Sequence, residues 1–327
     1  MRAMVATTLG GPEVLQPRDL PEPEPGPGEL TIEVAYAGVN FAEVMGRRGD
    51  MGPRPQPFVP GLEVAGRVRA LGEDVTEPAV GQPVCAFTET GGYAEIATAR
   101  AILTYPLEEP LATDLLDAAC APTILPTAWS MLRYAARLQP DESVLIHAAA
   151  GGLGTTAAQF ARHLRAGTII GTVGSPDKAD YARGFGYDHV IERRDFVAAV
   201  RELTAGRGVD LVLDSIGGAV REQSLDALAP YGRMVVHGNA SQGADFAAGA
   251  EQLMRSNAGM IGYSIGWLSE THPMELRRAA LEALNLLRFG AVRIDVTEVL
   301  DLEQAAEAHR RLESRSSRGK LALRVGD

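Results

Sequence analysis

The sequence holds little cysteine, no long apolar run and no excess of positive charge. Cys85 and Cys120 are its two cysteines among 327 residues. Two thiols cannot build a disulfide framework or a four-cysteine zinc site, and so low a count fits a reducing compartment. No apolar stretch reaches the ~20 residues that a spanning helix needs. The opening MRAMVATTLGGPEV has no signal-peptide core. Lys and Arg total 31 against 42 Asp and Glu, a formal net charge of −11. A chain this acidic repels phosphate backbones, which argues against nucleic acid as a partner. The expectation is a soluble cytoplasmic protein with neither a membrane nor a nucleic-acid partner. What remains is ordinary for a globular chain, with 46% hydrophobic and 22% charged residues. The length corresponds to two or three domains at roughly 100–200 residues each.

The early part of the chain is rich in Gly, Pro and short alternating runs. TIEVAYAGV (31–39) and VAGRVRALG (64–72) alternate as half-buried strands do, and GQPVCAF (81–87) and GGYAEIATA (91–99) each follow a glycine turn. PEPEPGPGEL (21–30) reads as an exposed connection, because its Pro and Gly cannot sit in a central strand. From about residue 123 the pattern becomes strand–helix alternation. Strands are expected at 143–149, 168–173, 189–192, 209–217 and 232–239, with helices at 154–166, 178–186 and 195–205 and over SLDALAP (224–230). Repeated β–α units imply a parallel sheet with helices on both faces. Two more helices, 273–290 and 301–315, precede a closing strand, KLALRV (320–325).

The strongest motif is His147-Ala148-Ala149-Ala150-Gly151-Gly152-Leu153-Gly154. It follows a strand and opens a helix, the context that gives a dinucleotide fingerprint its meaning. Small residues make the turn tight, so that backbone N–H groups can approach a pyrophosphate at the positive end of a helix. Gly154 lets that helix sit close to the strand. Ala150, Gly151, Gly152, Leu153 and Gly154 are the candidate phosphate-binding residues. About 20 residues on, an Asp or Glu would hold the ribose 2′-hydroxyl of NAD. The chain instead has Gly174-Ser175-Pro176-Asp177-Lys178. Ser175 and Lys178 suit the extra phosphate of NADP, although Ser175 is equally compatible with a helix N-cap and Lys178 with a solvated helix residue. Asp177, just after proline, belongs to the first turn of the next helix.

At this point a resemblance emerges. Its carriers are Gly38-Val39-Asn40-Phe41, Arg48-Gly49, Pro57-Phe58-Val59-Pro60-Gly61, Glu63-Val64-Ala65-Gly66 and Gly91-Gly92-Tyr93-Ala94-Glu95. Further along come Pro126-Thr127-Ala128-Trp129, the turn at 147–154, Gly206-Arg207-Gly208-Val209-Asp210, Gly232-Arg233 and Gly238-Asn239. Over nearly its whole length the chain resembles the zinc-free medium-chain dehydrogenase/reductases of the quinone oxidoreductase group, which includes the zeta-crystallins. The resemblance implies an α/β protein with a GroES-like β-barrel domain (1–122 plus 266–327) and a Rossmann doubly wound parallel sheet (123–265). It implies NADPH in a cleft between them, a small electrophilic acceptor and a homodimer formed through the strand in GMIGYSI (259–265).

Residue roles follow from the same resemblance. Asn40 corresponds to an asparagine near the nicotinamide, and Thr127, at an expected helix start, to a threonine there. Asn239 would line the cofactor cleft, and Arg315 would reach the 2′-phosphate. Read from residues alone, Asn40 fits a turn, Thr127 an N-cap and Arg315 a surface arginine beside Arg310, Arg311 and Arg318. Lys320 is a weaker candidate for the same phosphate and reads rather as a solvated strand-edge lysine. Two departures stand out. Met45 and Met51 occupy positions where relatives often carry tyrosine, giving a soft apolar wall without a proton donor. Arg193 replaces a tyrosine beside the adenosine phosphate and could strengthen 2′-phosphate binding.

No proton donor is assured. His147 and His237 read as satisfied strand-end histidines, and Tyr93 as a packing residue. A zinc relative needs Cys or His at position 40 and a His-Glu pair, whereas Gly61-Leu62-Glu63 lacks the histidine. No metal is expected. The reading is an NADPH-dependent, metal-free reductase of quinones or conjugated carbonyls. The alternatives are a 2-enoyl thioester reductase of a biosynthetic pathway and a non-catalytic NADPH-binding or redox-sensing protein.

Overall fold

Apolar periodicity divides the chain into two kinds of sheet. The computed structural model describes residues 1–244, 246 and 248–326. Before residue 127 it contains strands β1 (Arg2–Ala6), β2 (Leu15–Asp19), β3 (Glu29–Val39), β4 (Glu63–Leu71), β5 (Pro83–Phe87), β6 (Ile96–Arg100) and β7 (Thr104–Pro106), and helices α1 (Phe41–Arg48), α2 (Leu115–Ala119) and α3 (Ala121–Trp129). The middle contains β8 (Val144–Ile146), α4 (Gly152–His163), β9 (Ile169–Val173), α5 (Ala179–Arg183), β10 (His189–Glu192), α6 (Phe196–Leu203), β11 (Val209–Asp214), α7 (Gly218–Asp226), β12 (Leu228–Val236), α8 (Ala250–Ser256) and β13 (Gly259–Gly262). Then come α9 (Ile265–Thr271), α10 (Pro273–Arg288), β14 (Val296–Asp301), α11 (Ala305–Glu313) and β15 (Lys320–Arg324). Two compact units result, Met1–Pro126 with Ile265–Asp327, and Thr127–Ser264.

In the first unit a seven-stranded sheet has the order β14-β15-β3-β4-β5-β7, with β6 also paired to β3. The inward residues of the alternating strands, Leu30, Ile32, Val34, Val64, Val68 and Val84, form its core with Leu321 and Leu323 of β15. β3 and β4 pair through bulges, and a Cβ on Gly66 would lie 1.9 Å from the Glu33 carbonyl oxygen, so only glycine fits there. α11 closes this core with Ala305 and Ala308. α1, which begins directly after β3, packs against α11.

In the second unit six parallel strands run in the order β10-β9-β8-β11-β12-β13. β8, β9 and β11 are almost wholly buried, as parallel strands covered on both faces must be. Chain order reverses between β8 and β11, the point where open α/β sheets bind ligands at their strand ends. β13 lies at the sheet edge.

The structure corrects several expectations. Only the first three residues of SLDALAP are helical: α7 ends at Asp226 and Leu228 already begins β12. Pro230 is tolerated because the β11–β12 pairing shifts register there and Tyr231 turns to φ 66°. Thr127 does not start a helix. α3 runs from Ala121 through Pro126 to Trp129 and continues as a π-helical turn over Ser130–Ala135. The buried apolar run on both sides carries the helix through a proline that otherwise signals a first turn. The apolar pattern does not signal strands β1, β2, β7 and β14. Among the described residues no helix is long and apolar enough to cross a membrane.

Candidate functional site

β8 ends at Ile146 and delivers the alanine–glycine turn to the start of α4. Ala148 adopts φ 55°, and the Gly151 N–H closes the turn on the Ala148 carbonyl at 2.9 Å. Gly151 is the N-cap of α4 and brings no capping side chain. The first-turn N–H groups, those of Gly152, Leu153 and Gly154, therefore face no intrahelical or side-chain acceptor. A Cβ on Gly154 would lie 2.4 Å from the Ala148 carbonyl oxygen, so glycine alone allows this close approach. The Tyr187 hydroxyl donates to the Gly154 carbonyl at 2.7 Å and fixes the helix start from the other side. The result is a rigid turn whose free donors and helix dipole suit a phosphate.

The end of β9 stands beside it. Ser175 is the N-cap of the short 3₁₀ turn Pro176–Lys178, yet its hydroxyl makes no capping bond. Lys178 is half-buried at the start of α5. The Arg193 N–H donates to the Val173 carbonyl at 2.8 Å. A Cβ on Gly174 would lie 3.5 Å from Arg193 Nη2, so the guanidinium covers Gly174. Ser175 and Arg193 are thus brought to one strand end.

Beyond β11 a buried ion pair shapes the next loop. Asp214 accepts from Ile216 N–H (2.8 Å), Gly217 N–H (3.1 Å) and Arg221 Nε (2.8 Å). Asn239 donates from Nδ2 to the Gly243 carbonyl at 3.1 Å and accepts from Ser241 Oγ at 3.3 Å. Its amide ties down its own loop. The Tyr263 hydroxyl, just after β13, lies against those of Ser130 and Thr127, and burial raises its pKa. None of the three hydroxyls finds a well-formed hydrogen bond.

The first unit holds a different arrangement. Asn40 is the N-cap of α1, and Glu43 reaches back to accept its backbone N–H at 2.8 Å. Asn40 Nδ2 donates to Glu63 Oε1 at 2.8 Å and to Glu43 Oε1 at 3.3 Å. Lys320 Nζ donates to Glu63 Oε1 (2.6 Å), Asn40 Oδ1 (2.7 Å) and the Val39 carbonyl (3.1 Å). Glu63 Oε2 accepts from Thr123 N–H at 2.7 Å. Lys320 is only 4% exposed, which overturns its reading as a solvated strand-edge residue. β15 pairs with β3 so that its first residue faces the end of β3, and the ammonium meets two carboxylates there. Burial alone would lower the Lys320 pKa, but Glu63 first, then Cys120 and Glu43, outweigh it and raise it. Burial pushes the Glu43 carboxyl up to about 7; the Glu63 charge adds to this and Lys320 opposes it.

Met45 lies on α1, half-buried, and Met51 follows it at 66% exposure. Arg315 stands beyond the end of α11 in the same unit, exposed and at φ 56°. A cavity of about 630 Å³ opens nearby, lined by Arg310, Arg311, Ser314 and Arg318. Arg310 and Arg311 there are already paired with Glu307, and Arg311 also with Glu298.

A family described as an alcohol dehydrogenase GroES-like domain matches residues 26–109, and one described as a zinc-binding dehydrogenase matches residues 152–283. A quinone oxidoreductase of Pseudomonas aeruginosa is 35% identical over 323 residues, spanning 96% of each chain. This chain belongs to the quinone oxidoreductase family. A 2-haloacrylate reductase of a Burkholderia species is 34% identical and spans 98% of each chain. The solved structure of Escherichia coli quinone oxidoreductase complexed with NADPH matches with a TM-score of 0.91 at 33% identity, over 99% of each chain.

In this quinone oxidoreductase family member the polar atoms nearest a metal's requirements are engaged. Glu63 Oε1 and Asn40 Oδ1 accept from an ammonium, and Cys85 and Cys120 are buried thiols. Burial raises the Cys120 pKa to about 12, far from a ligating thiolate. Among the described residues no group of three or more His, Cys, Asp or Glu could hold a metal ion. His147 is held between Thr172 Oγ1 (2.8 Å) and Ser224 Oγ (2.9 Å), and burial lowers its pKa to about 4. Burial lowers His237 likewise to about 4. Tyr93 is fully buried, with its hydroxyl 3.2 Å from His309 Nε2.

Residue reading misassigns Lys320 and misses Ser130, Tyr263 and the Asp214–Arg221 pair. The Asn40-x-x-Glu43 spacing is a helix-start signal that points to part of the first cluster. No local signal marks Lys320, which lies 257 residues from Glu63.

Proposed function

We propose that this protein is an NADPH-dependent reductase of a small electrophilic acceptor, a quinone or a conjugated carbonyl, working without a metal. The observation that carries the reading is the uncapped glycine turn of α4 with Ser175 and Arg193 at the adjacent strand end. NADPH-bound and quinone-reducing relatives of nearly equal length support it. When bound, the dihydronicotinamide supplies a hydride to the acceptor.

Every other role falls to the chain. The N–H groups of Gly152, Leu153 and Gly154 hold the pyrophosphate, within a turn kept tight by Ala150 and Gly151. Ser175, Lys178 and Arg193 hold the 2′-phosphate, and Arg315 adds a cation. Asn239 orders the loop after β12, and Thr127 offers a buried hydroxyl. Asn40 positions ligand, and Met45 and Met51 give the acceptor an apolar wall. Residues 1–122 with 266–327 serve the acceptor, and 123–265 serve the cofactor. The Lys320 ammonium takes up the oxygens that a metal would need, which supports metal independence. β13, at its sheet edge, is the strand through which a homodimer would form.

NADPH oxidation against a panel of quinones, enones, enoyl thioesters and 2-haloacrylates tests the reading. Turnover with at least one acceptor is expected. Tight NADPH binding with no turnover on any of them would replace it with the non-catalytic alternative.

A further inference from the structure

The Asn40 side chain is held in one orientation by charge. An amide turned end for end would set its NH2 group against the Lys320 ammonium and its oxygen against the Glu63 and Glu43 carboxylates. In the observed orientation, both amide hydrogens are engaged by those carboxylates. The ammonium is saturated too, by Glu63, Asn40 and the Val39 carbonyl. A buried ion pair of this kind is commonly no more stabilising than an apolar pair of the same volume. Stability alone therefore does not account for it, whereas a fixed amide does.

We propose that Lys320 is a positioning residue which, with Glu63, locks the Asn40 amide in one orientation, so that Asn40 has no hydrogen left to give a ligand. The inference rests on the reading that Asn40 belongs to the reductase site. Its chemical consequence is specific. Asn40 cannot polarise the carbonyl oxygen of an acceptor, because it has no hydrogen left to give.

The experiment compares wild type with the neutralised pair Lys320→Met/Glu63→Gln, each with and without Asn40→Ala. The pair removes the Lys320 and Glu63 charges together, and the buried Glu43 carboxyl, raised to about 7, stays largely protonated when the assay is run at pH 6. Turnover number is expected to fall at least ten-fold in the pair, with the NADPH dissociation constant changed less than two-fold. Adding Asn40→Ala to the pair should lower turnover by less than a further two-fold, since Lys320 acts through Asn40. Turnover within two-fold of wild type, or losses that multiply with Asn40→Ala, would overturn the proposal. Hydrogen exchange of the Asn40 side-chain amide, read by ¹⁵N NMR, decides the same point without turnover. Slow exchange in wild type and at least ten-fold faster exchange in the pair supports the lock, and equal rates refute it. The isosteric Glu63→Gln alone is a milder variant, expected to speed exchange at least three-fold; an unchanged rate counts against the lock. If wild type reduces no acceptor, the reductase reading fails while the exchange measurement still judges the lock.

Discussion

Two polar regions, the Asn40–Lys320 cluster of the first unit and the α4 turn of the second, are built in opposite ways. In the first, Asn40, Glu43, Glu63 and Lys320 satisfy one another, so charge is enclosed and internally balanced. In the second, no side chain caps the α4 turn, and Ser175 nearby makes no capping bond. A buried polar group without a partner is costly, so donors left open point to something that is bound there. The difference teaches where to look for each task. On the function proposed above, the open donors would hold an anionic cofactor, and the closed cluster would fix a side chain.

The largest effect should come from breaking the closed cluster on one side only. Lys320→Met leaves the Glu63 charge buried with no counter-ion and should cost about 3–5 kcal/mol, read by denaturant unfolding. The neutralised pair should recover most of that loss. Equal costs for the single and the paired variant would mean that the cluster is not a coupled charge system.

The open turn should break next. Gly154→Val places a side chain against the Ala148 carbonyl, where even a Cβ would come within 2.4 Å. The clash should cost about 1–3 kcal/mol of stability and weaken NADPH binding by more than ten-fold in a calorimetric titration. Wild-type affinity in a folded Gly154→Val protein would remove the turn from the cofactor site.

A smaller effect concerns pH. Glu43 is raised to about 7 in the fold, so its favourable contribution is present at low pH and is lost as pH rises through that value. His147 and His237 are lowered to about 4, so theirs is present above the ordinary histidine range and is lost as pH falls. Between pH 4.5 and 6.5 the two trends oppose each other. Glu43→Gln removes one of them, so melting temperature should climb more steeply with pH across this window than in wild type. Superimposable profiles would show that Glu43 does not titrate there.

The parts of this molecule that were legible in its sequence are the local ones. The turn at 147–154 announces itself because strand, small residues and helix are contiguous. The β–α alternation is legible for the same reason, since each strand carries its own apolar run. Lys320 was misread because its partners arrive from 257 and 280 residues away, through the pairing of β15 with β3. Thr127 was misplaced because Pro126 imitates a helix start, while the buried run around it carries α3 onward. Ser130 and Tyr263 escaped notice because a hydroxyl has no sequence signature until the fold denies it a partner.

The account stands most directly on titration of the protein with NADPH and NADH, in wild type and in Lys178→Ala and Arg193→Ala. Charged hydrogen bonds to the 2′-phosphate are worth roughly 1.5–3 kcal/mol, so NADPH should bind at least ten-fold more tightly than NADH. Each substitution should shrink that ratio while leaving NADH affinity unchanged. Equal affinity for the two nucleotides in wild type, or a ratio untouched by both substitutions, would contradict it.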